Sequence, residues 1–247
     1  MLEKLRSIVC KANLDLVAKG LVMQTFGNVS GVDRDCGLMV IKPSGVDYSD
    51  MAPEQMVVVS LETGEVVEGD LNPSSDTPTH RVLYRSFQSI GGVVHTHSLY
   101  ATSWAQSQSE IPALGTTHAD YCRGPVPCTR LMTAEEIRTE YEANTGHVIV
   151  ERFREMPPES SPGVLVASHG PFAWGRTVER AVENAEVLEF LARLASETLR
   201  IRPDLRPMQN VLHDKHYSRK HGSNAYYGQK RAVTDAEELH SSSPTKS

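Results

Sequence analysis

At 247 residues, 39% hydrophobic and 23% charged, the chain has the composition of a soluble globular protein and the length for one large core. A formal net charge of −6 excludes the broad basic face that nucleic-acid binding needs, while leaving room for a local basic pocket around a phosphate. No apolar run reaches the length of a membrane span, and the first residues lack the uninterrupted apolar core of a secretory signal, so the expected compartment is the cytoplasm.

In chain order, Leu2, Leu5, Ile8, Val9, Ala12 and Leu16 recur at helical spacing and predict an amphipathic helix from residue 2 to about 19, ending near Gly20. The four cysteines (Cys10, Cys36, Cys122, Cys128) form no Cys-x-x-Cys pair and read as reduced thiols or packing residues. Leu38 to Ile41 and Met56 to Val59 are short, largely β-branched runs that predict strands, with a hairpin turn at Thr63-Gly64 before Val66-Val67. Thr77 to Phe87 predicts a helix with Pro78 in its first turn. Gly91 to His95 and Gly163 to Ala167 read as two further strands. The longest helical pattern follows Thr177 and includes Val178, Ala181, Val182, Ala185, Leu188 and Leu191. From Lys230 the composition turns to Thr, Asp, Glu, Ser and Lys, so residues 230–247 read as a polar, disordered tail on a single domain of residues 1–229. Strands and helices mixed around a central sheet make the fold class α/β.

His95-Thr96-His97 closes one of the predicted strands. Residues i and i+2 of a strand project from one face, so both imidazoles point the same way and reach a single ion. His169, at the end of another apolar strand, supplies a third nitrogen for a site of the kind that binds Zn²⁺, although imidazole also suits other divalent first-row metals. On spacing alone, His80 and His118 fit the third position equally well.

Three Gly/Ser segments have the makings of a phosphate site: Gly27-Asn28-Val29-Ser30, Lys42-Pro43-Ser44-Gly45 and Ser74-Ser75. Phosphate is held by exposed backbone N–H groups, hydroxyl donors and a cation, and Lys42 provides the cation. None of the three is a Walker A loop or a dinucleotide fingerprint, and each also reads as an ordinary turn. Ser74 to Asp76 doubles as a helix cap before Thr77-Pro78, a reading compatible with anion binding at a helix N-terminus.

The order of these segments, followed by Ser168-His169-Gly170-Pro171, resembles the class II aldolase and epimerase family. Gly115 to Tyr121, Asp214 to Gly222 and the closing Ala225-Tyr226-Tyr227-Gly228-Gln229 resemble its epimerase branch, and the likeness runs from residue 1 to about 229. The resemblance implies a central, mainly antiparallel β-sheet flanked by α-helices, assembled as a homotetramer with sites at subunit interfaces. It implies Asp76, His95, His97 and His169 as zinc ligands, and Gly27, Asn28, Lys42, Ser44, Gly45, Ser74 and Ser75 around a substrate phosphate. Asp120 and Tyr227 are implied as an acid–base pair, with Thr116, Glu142 and His216 lining the site. The activity implied is interconversion of L-ribulose 5-phosphate and D-xylulose 5-phosphate by cleavage and re-addition of the carbon 3–carbon 4 bond. The alternative within the family is a sugar-phosphate aldolase that releases an aldehyde. In those aldolases a Glu stands where this chain has Asp76.

Overall fold

A computed structural model describes residues 2–221 and Ala225; Tyr227 and the expected 230–247 tail lie outside the described residues. The elements in chain order are α1 (Glu3–Ala18), β1 (Asn28–Asp33), β2 (Leu38–Ile41), β3 (Val57–Ser60), β4 (Val66–Glu68), α2 (Thr77–Ser86), β5 (Gly92–His95), α3 (Leu99–Gln106), α4 (Thr116–Ala119), α5 (Ala134–Arg138), α6 (Tyr141–Arg152), β6 (Gly163–Leu165), β7 (Pro171–Gly175), α7 (Val178–Ile201) and α8 (Asn210–His221). The strands form one seven-stranded sheet in the order β4-β3-β2-β1-β5-β7-β6. Every neighbouring pair is antiparallel.

The apolar runs read as strands are nearly continuous because both faces of the sheet are covered. Successive side chains leave opposite faces, which divides the core in two. Val40, Val58, Val94 and Ala173 pack with residues of α1, α3 and α7. Met39, Ile41, Val57, Val59, Val93, Phe172 and Trp174 pack on the other face with residues of α2 and α6. The β3–β4 hairpin turns where Thr63-Gly64 predicts it, and Thr77 and Val178 open their helices as expected. The Thr177 hydroxyl caps α7 by accepting from Arg180 N at 3.2 Å.

Among the strands, two segments differ from the sequence reading. Asn28 to Ser30, read as part of a loop, begins β1, in which Asn28 pairs opposite His95. Asn, Ser and Gly have weak strand preference, and here partners on both sides impose the extended form. The apolar run from Gly163 stops at Leu165 and turns back at once into β7, a strand the sequence reading omits.

Glycines set how closely α7 lies on the sheet. A Cβ on Gly92 would sit 2.6 Å from Val178 Cα, and one on Gly175 would sit 2.7 Å from Ala181 N. Gly92→Ala is therefore expected to force α7 outward and to cost about 1–3 kcal/mol of stability, the usual scale of overpacking. Denaturant midpoints at unchanged slope check this, and an unaltered midpoint would show that the contact is slack.

Candidate active site

The antiparallel order of the sheet brings distant histidines together. β5 ends at His95, and the chain leaves the sheet through Thr96 and His97. Next to it, β6 turns into β7 through a tight loop in which His169 N donates to Val166 O at 3.0 Å and Val166 N to Gly170 O at 2.9 Å. Ser168 in this loop has a φ of 63°, an uncommon conformation for a residue with a Cβ. Gly170 keeps the loop close to the end of β5, since a Cβ there would meet Thr96 O at 2.9 Å. As a result, ligand nitrogens of His95, His97 and His169 all lie within 4.8 Å of one another. His95 Nε2 is 3.1 Å from His97 Nε2, as the i, i+2 argument requires. His80 and His118 are held elsewhere: His80 Nδ1 by Ser30 Oγ at 2.7 Å, and His118 Nε2 by Gly124 O at 2.8 Å.

The cluster opens on a cavity of about 390 Å³ that also takes in Asp76, Glu142 and all three Gly/Ser segments through Gly27, Asn28, Lys42, Ser44, Gly45, Ser74 and Ser75. Backbone bonds join two of those segments, with Ser44 N donating to Asn72 O and Ser74 N to Lys42 O, both at 2.9 Å. Lys42 is only 2% exposed. Its ammonium donates to Val46 O at 3.1 Å and Pro43 O at 3.3 Å, and lies 4.9 Å from the centre of the Tyr48 ring. An ammonium has three donors, so one remains for an anion. Tyr48 in turn donates to Gly27 O at 2.9 Å, tying the Lys42 segment to the Gly27 segment.

Asp76 occupies the N-cap position of α2 without capping it. Its Oδ2 instead accepts from Asn28 Nδ2 at 2.7 Å, so the carboxylate is turned toward β1. Asp120, Thr116 and His216 do not line the cavity of their own chain. Asp120 follows α4 and is gripped by α8: Arg219 donates to both its oxygens at 3.0 and 2.6 Å, and His216 Nδ1 lies 3.1 Å from Oδ1.

Residues 7–196 match the family described as Class II Aldolase and Adducin N-terminal domain. The chain is 55% identical over 229 residues to the L-ribulose-5-phosphate 4-epimerases UlaF of Salmonella paratyphi A and Salmonella typhi, covering 93% of this chain and all of each relative. The chain belongs to the class II aldolase family. Among solved structures, an L-fuculose 1-phosphate aldolase superposes with a TM-score of 0.73 at 25% identity, covering 87% of this chain and 95% of its own. A putative aldolase/epimerase/decarboxylase, YgbL of Klebsiella pneumoniae, gives 0.68 at 26% identity, covering 87% and 99%.

The electrostatics of this class II aldolase cavity suit a divalent ion. Burial pushes the His95 imidazole down to about 3 and lowers His97 and His169 as well, so all three are in the neutral form that ligates metal. His95 Nδ1 lies 3.0 Å from Pro171 O, a partner that fixes the N–H at Nδ1 and leaves the Nε2 lone pair facing the cluster. Burial alone would raise the Asp76 carboxyl, but His95, His80 and the Asn28 amide hold it below the usual carboxylate range. Tetrahedral zinc with Zn–N bonds of about 2.0–2.1 Å separates its ligand nitrogens by about 3.3 Å. The 3.1 Å between His95 and His97 is close to that spacing, so the residues fit a metal.

Sequence reasoning missed Tyr141, which lines the cavity with its hydroxyl 3.5 Å from His169 Nδ1. It also missed Tyr48. No local signal marks either one, because each acts through a contact made only in the folded chain.

Buried imidazoles also give the metal-free protein an acid sensitivity. Burial lowers His80 and His118 to about 4. The unfolded chain takes up their protons near pH 6.5, so stability should fall as pH drops from about 6.5 toward 4, with His95 carrying the fall on toward 3. Each group contributes on the order of 3 kcal/mol to the fall. Melting temperatures of the chelated protein across that window test it, and a flat profile would contradict it.

Proposed function

We propose that this protein is a zinc-dependent epimerase that interconverts L-ribulose 5-phosphate and D-xylulose 5-phosphate. The observation that carries the reading is one cavity that joins a three-histidine cluster to a buried cation and paired Ser/Gly loops. The identity with epimerases over nearly the whole chain supports it.

The proton on carbon 4 of the substrate is not acidic, so inversion proceeds by breaking the carbon 3–carbon 4 bond and re-forming it on the opposite face of the aldehyde. Asp76, His95, His97 and His169 would hold the zinc, which would supply Lewis acidity for negative charge on the ketone fragment. Lys42, Ser44, Gly45, Ser74 and Ser75, with Gly27 and Asn28, grip the phosphate and keep glycolaldehyde phosphate from leaving while it rotates. Asp120 and Tyr227 exchange the proton of the carbon-4 hydroxyl on opposite faces. Asp120 does so from a neighbouring subunit of a homotetramer, since it stands outside the cavity of its own chain. Thr116 and His216 accompany Asp120, and Glu142 lines the cavity. The natural setting is cytoplasmic pentose phosphate metabolism, with residues 1–229 as the catalytic domain.

Incubation with L-ribulose 5-phosphate tests the proposal: D-xylulose 5-phosphate should form with no net aldehyde. Accumulation of free aldehyde would instead favour the aldolase reading that the L-fuculose 1-phosphate aldolase fold allows. For the phosphate grip, Lys42→Met should raise KM for the phosphorylated substrate by about 10²-fold, the scale of a lost charged hydrogen bond. Equal turnover of L-ribulose and its phosphate would show that the loops are only turns.

A further inference from the structure

Behind Asp76 lies a chain of buried polar groups to which the reaction gives no role. Asp76, His80 and Tyr84 stand at i, i+4 and i+8 along α2, and Asn28 and Ser30 share one face of β1. The two rows meet rung by rung. Asn28 Nδ2 donates to Asp76 Oδ2 at 2.7 Å, and Ser30 Oγ lies 2.7 Å from His80 Nδ1 and 2.8 Å from Tyr84 Oη. Ser30, His80 and Tyr84 are all fully buried.

The chemistry of the three groups sets the direction of the chain. A phenol is the strongest donor among them and an imidazole nitrogen the strongest acceptor, so Tyr84 donates to Ser30 and Ser30 donates to His80 Nδ1. The ring proton is then on Nε2. That atom is buried with no hydrogen-bond partner among the described residues, and the same is true of Asn28 Oδ1 on the neighbouring rung. Native folds rarely leave a buried donor or a buried acceptor unsatisfied. The charge that acts on His80 is that of Asp76, whose carboxylate also meets the Asn28 side chain.

We propose that His80 is a positioning residue for Asp76: the Tyr84–Ser30 chain fixes its Nε2–H, which donates to one enclosed water that in turn donates to Asn28 Oδ1 and the Asp76 carboxylate. Such a water has three polar partners, the usual number for a buried one. Asp76 is thereby held off its capping position and toward the histidine cluster. The inference deepens the proposed function, since it rests on Asp76 serving as a ligand there.

Two measurements on the zinc-loaded protein decide it. Nitrogen NMR of histidine-labelled protein should show His80 as the Nε2–H tautomer, Asp76→Asn should shift that signal, and Tyr84→Phe should release the ring into a mixture of tautomers. An Nδ1–H tautomer, or a His80 signal indifferent to Asp76→Asn, would overturn the inference. Zinc affinity, measured by competition with a chelator, should fall about 10–100-fold in His80→Leu, the scale for groups that orient a ligand. His80→Gln, whose amide N–H falls near Nε2, should recover most of that loss. Equal affinities in His80→Leu, His80→Gln and the parent would leave His80 a packing residue only. Failure of the underlying reading looks different: Asp76→Asn would then keep full zinc affinity, while the NMR still reports whether His80 and Asp76 are coupled.

Discussion

Stripping the protein of metal with a strong chelator should abolish turnover of L-ribulose 5-phosphate, and stoichiometric zinc should restore it. His95→Asn should be the most severe of the ligand changes. The His95 ring is stacked on Phe172 at 4.2 Å between centroids and anchored at Pro171 O, so an Asn there can reproduce neither the reach nor the aim of Nε2. Lewis-acid stabilisation is worth several kcal/mol, so the expected loss is about 10³-fold or more. His97→Asn and His169→Asn should also lose metal and rate together. Metal content measured beside the rate is the check, and full activity in metal-free protein would end the reading.

The second large effect is expected at Asp120. Asp120→Asn should retain bound zinc, yet lose epimerisation by about 10²–10⁴-fold, the range for a positioned acid or base. The metal cluster should be spared because Asp120 does not line the cavity of its own chain. Burial tends to raise the Asp120 carboxyl, but hydrogen bonds from Arg219 and His216 and the charge of Lys220 hold it below the usual range. The group therefore stays ionised at neutral pH. An Asn variant with near-normal kcat would reduce Asp120 to an anchor for α8. Mixing the variant with a chain inactive through His95→Asn gives a sharper test. If Asp120 serves a neighbouring subunit's cavity, mixed assemblies regain part of the lost rate, because some sites pair two intact halves.

How much of this could be read beforehand follows from the range of the forces involved. The His95/His97 pair is legible because strand geometry is local, and the pairing of i with i+2 needs no tertiary information. The third histidine is not local. His80, His118 and His169 are equivalent until the sheet places β7 beside β5. β1 escaped notice because its polar residues face α2, and only the fold reveals that Asn28 and Ser30 meet Asp76 and His80 there. The three phosphate-type segments were legible one at a time, but their joining depends on the backbone bonds between residues 42–44 and 72–74 and on the Tyr48 bond to Gly27 O. The grip of Arg219 on Asp120 connects residues 99 positions apart, and no spacing rule reaches that far.

The placement of His95 and His169 on adjacent elements, one ending β5 and the other in the turn between β6 and β7, has a thermodynamic consequence. An ion that bridges them binds only when the β5–β7 pairing and the β6–β7 turn are formed, so its binding energy becomes stabilisation of that side of the sheet. At a free ion concentration 100 times the dissociation constant this amounts to about 2.7 kcal/mol. Linkage works in both directions. A substitution far from the cavity that loosens the β6–β7 turn weakens ion binding by as much as the ion would have strengthened the turn. Metal starvation would then act on this protein twice, by silencing its chemistry and by opening one edge of its sheet to unfolding.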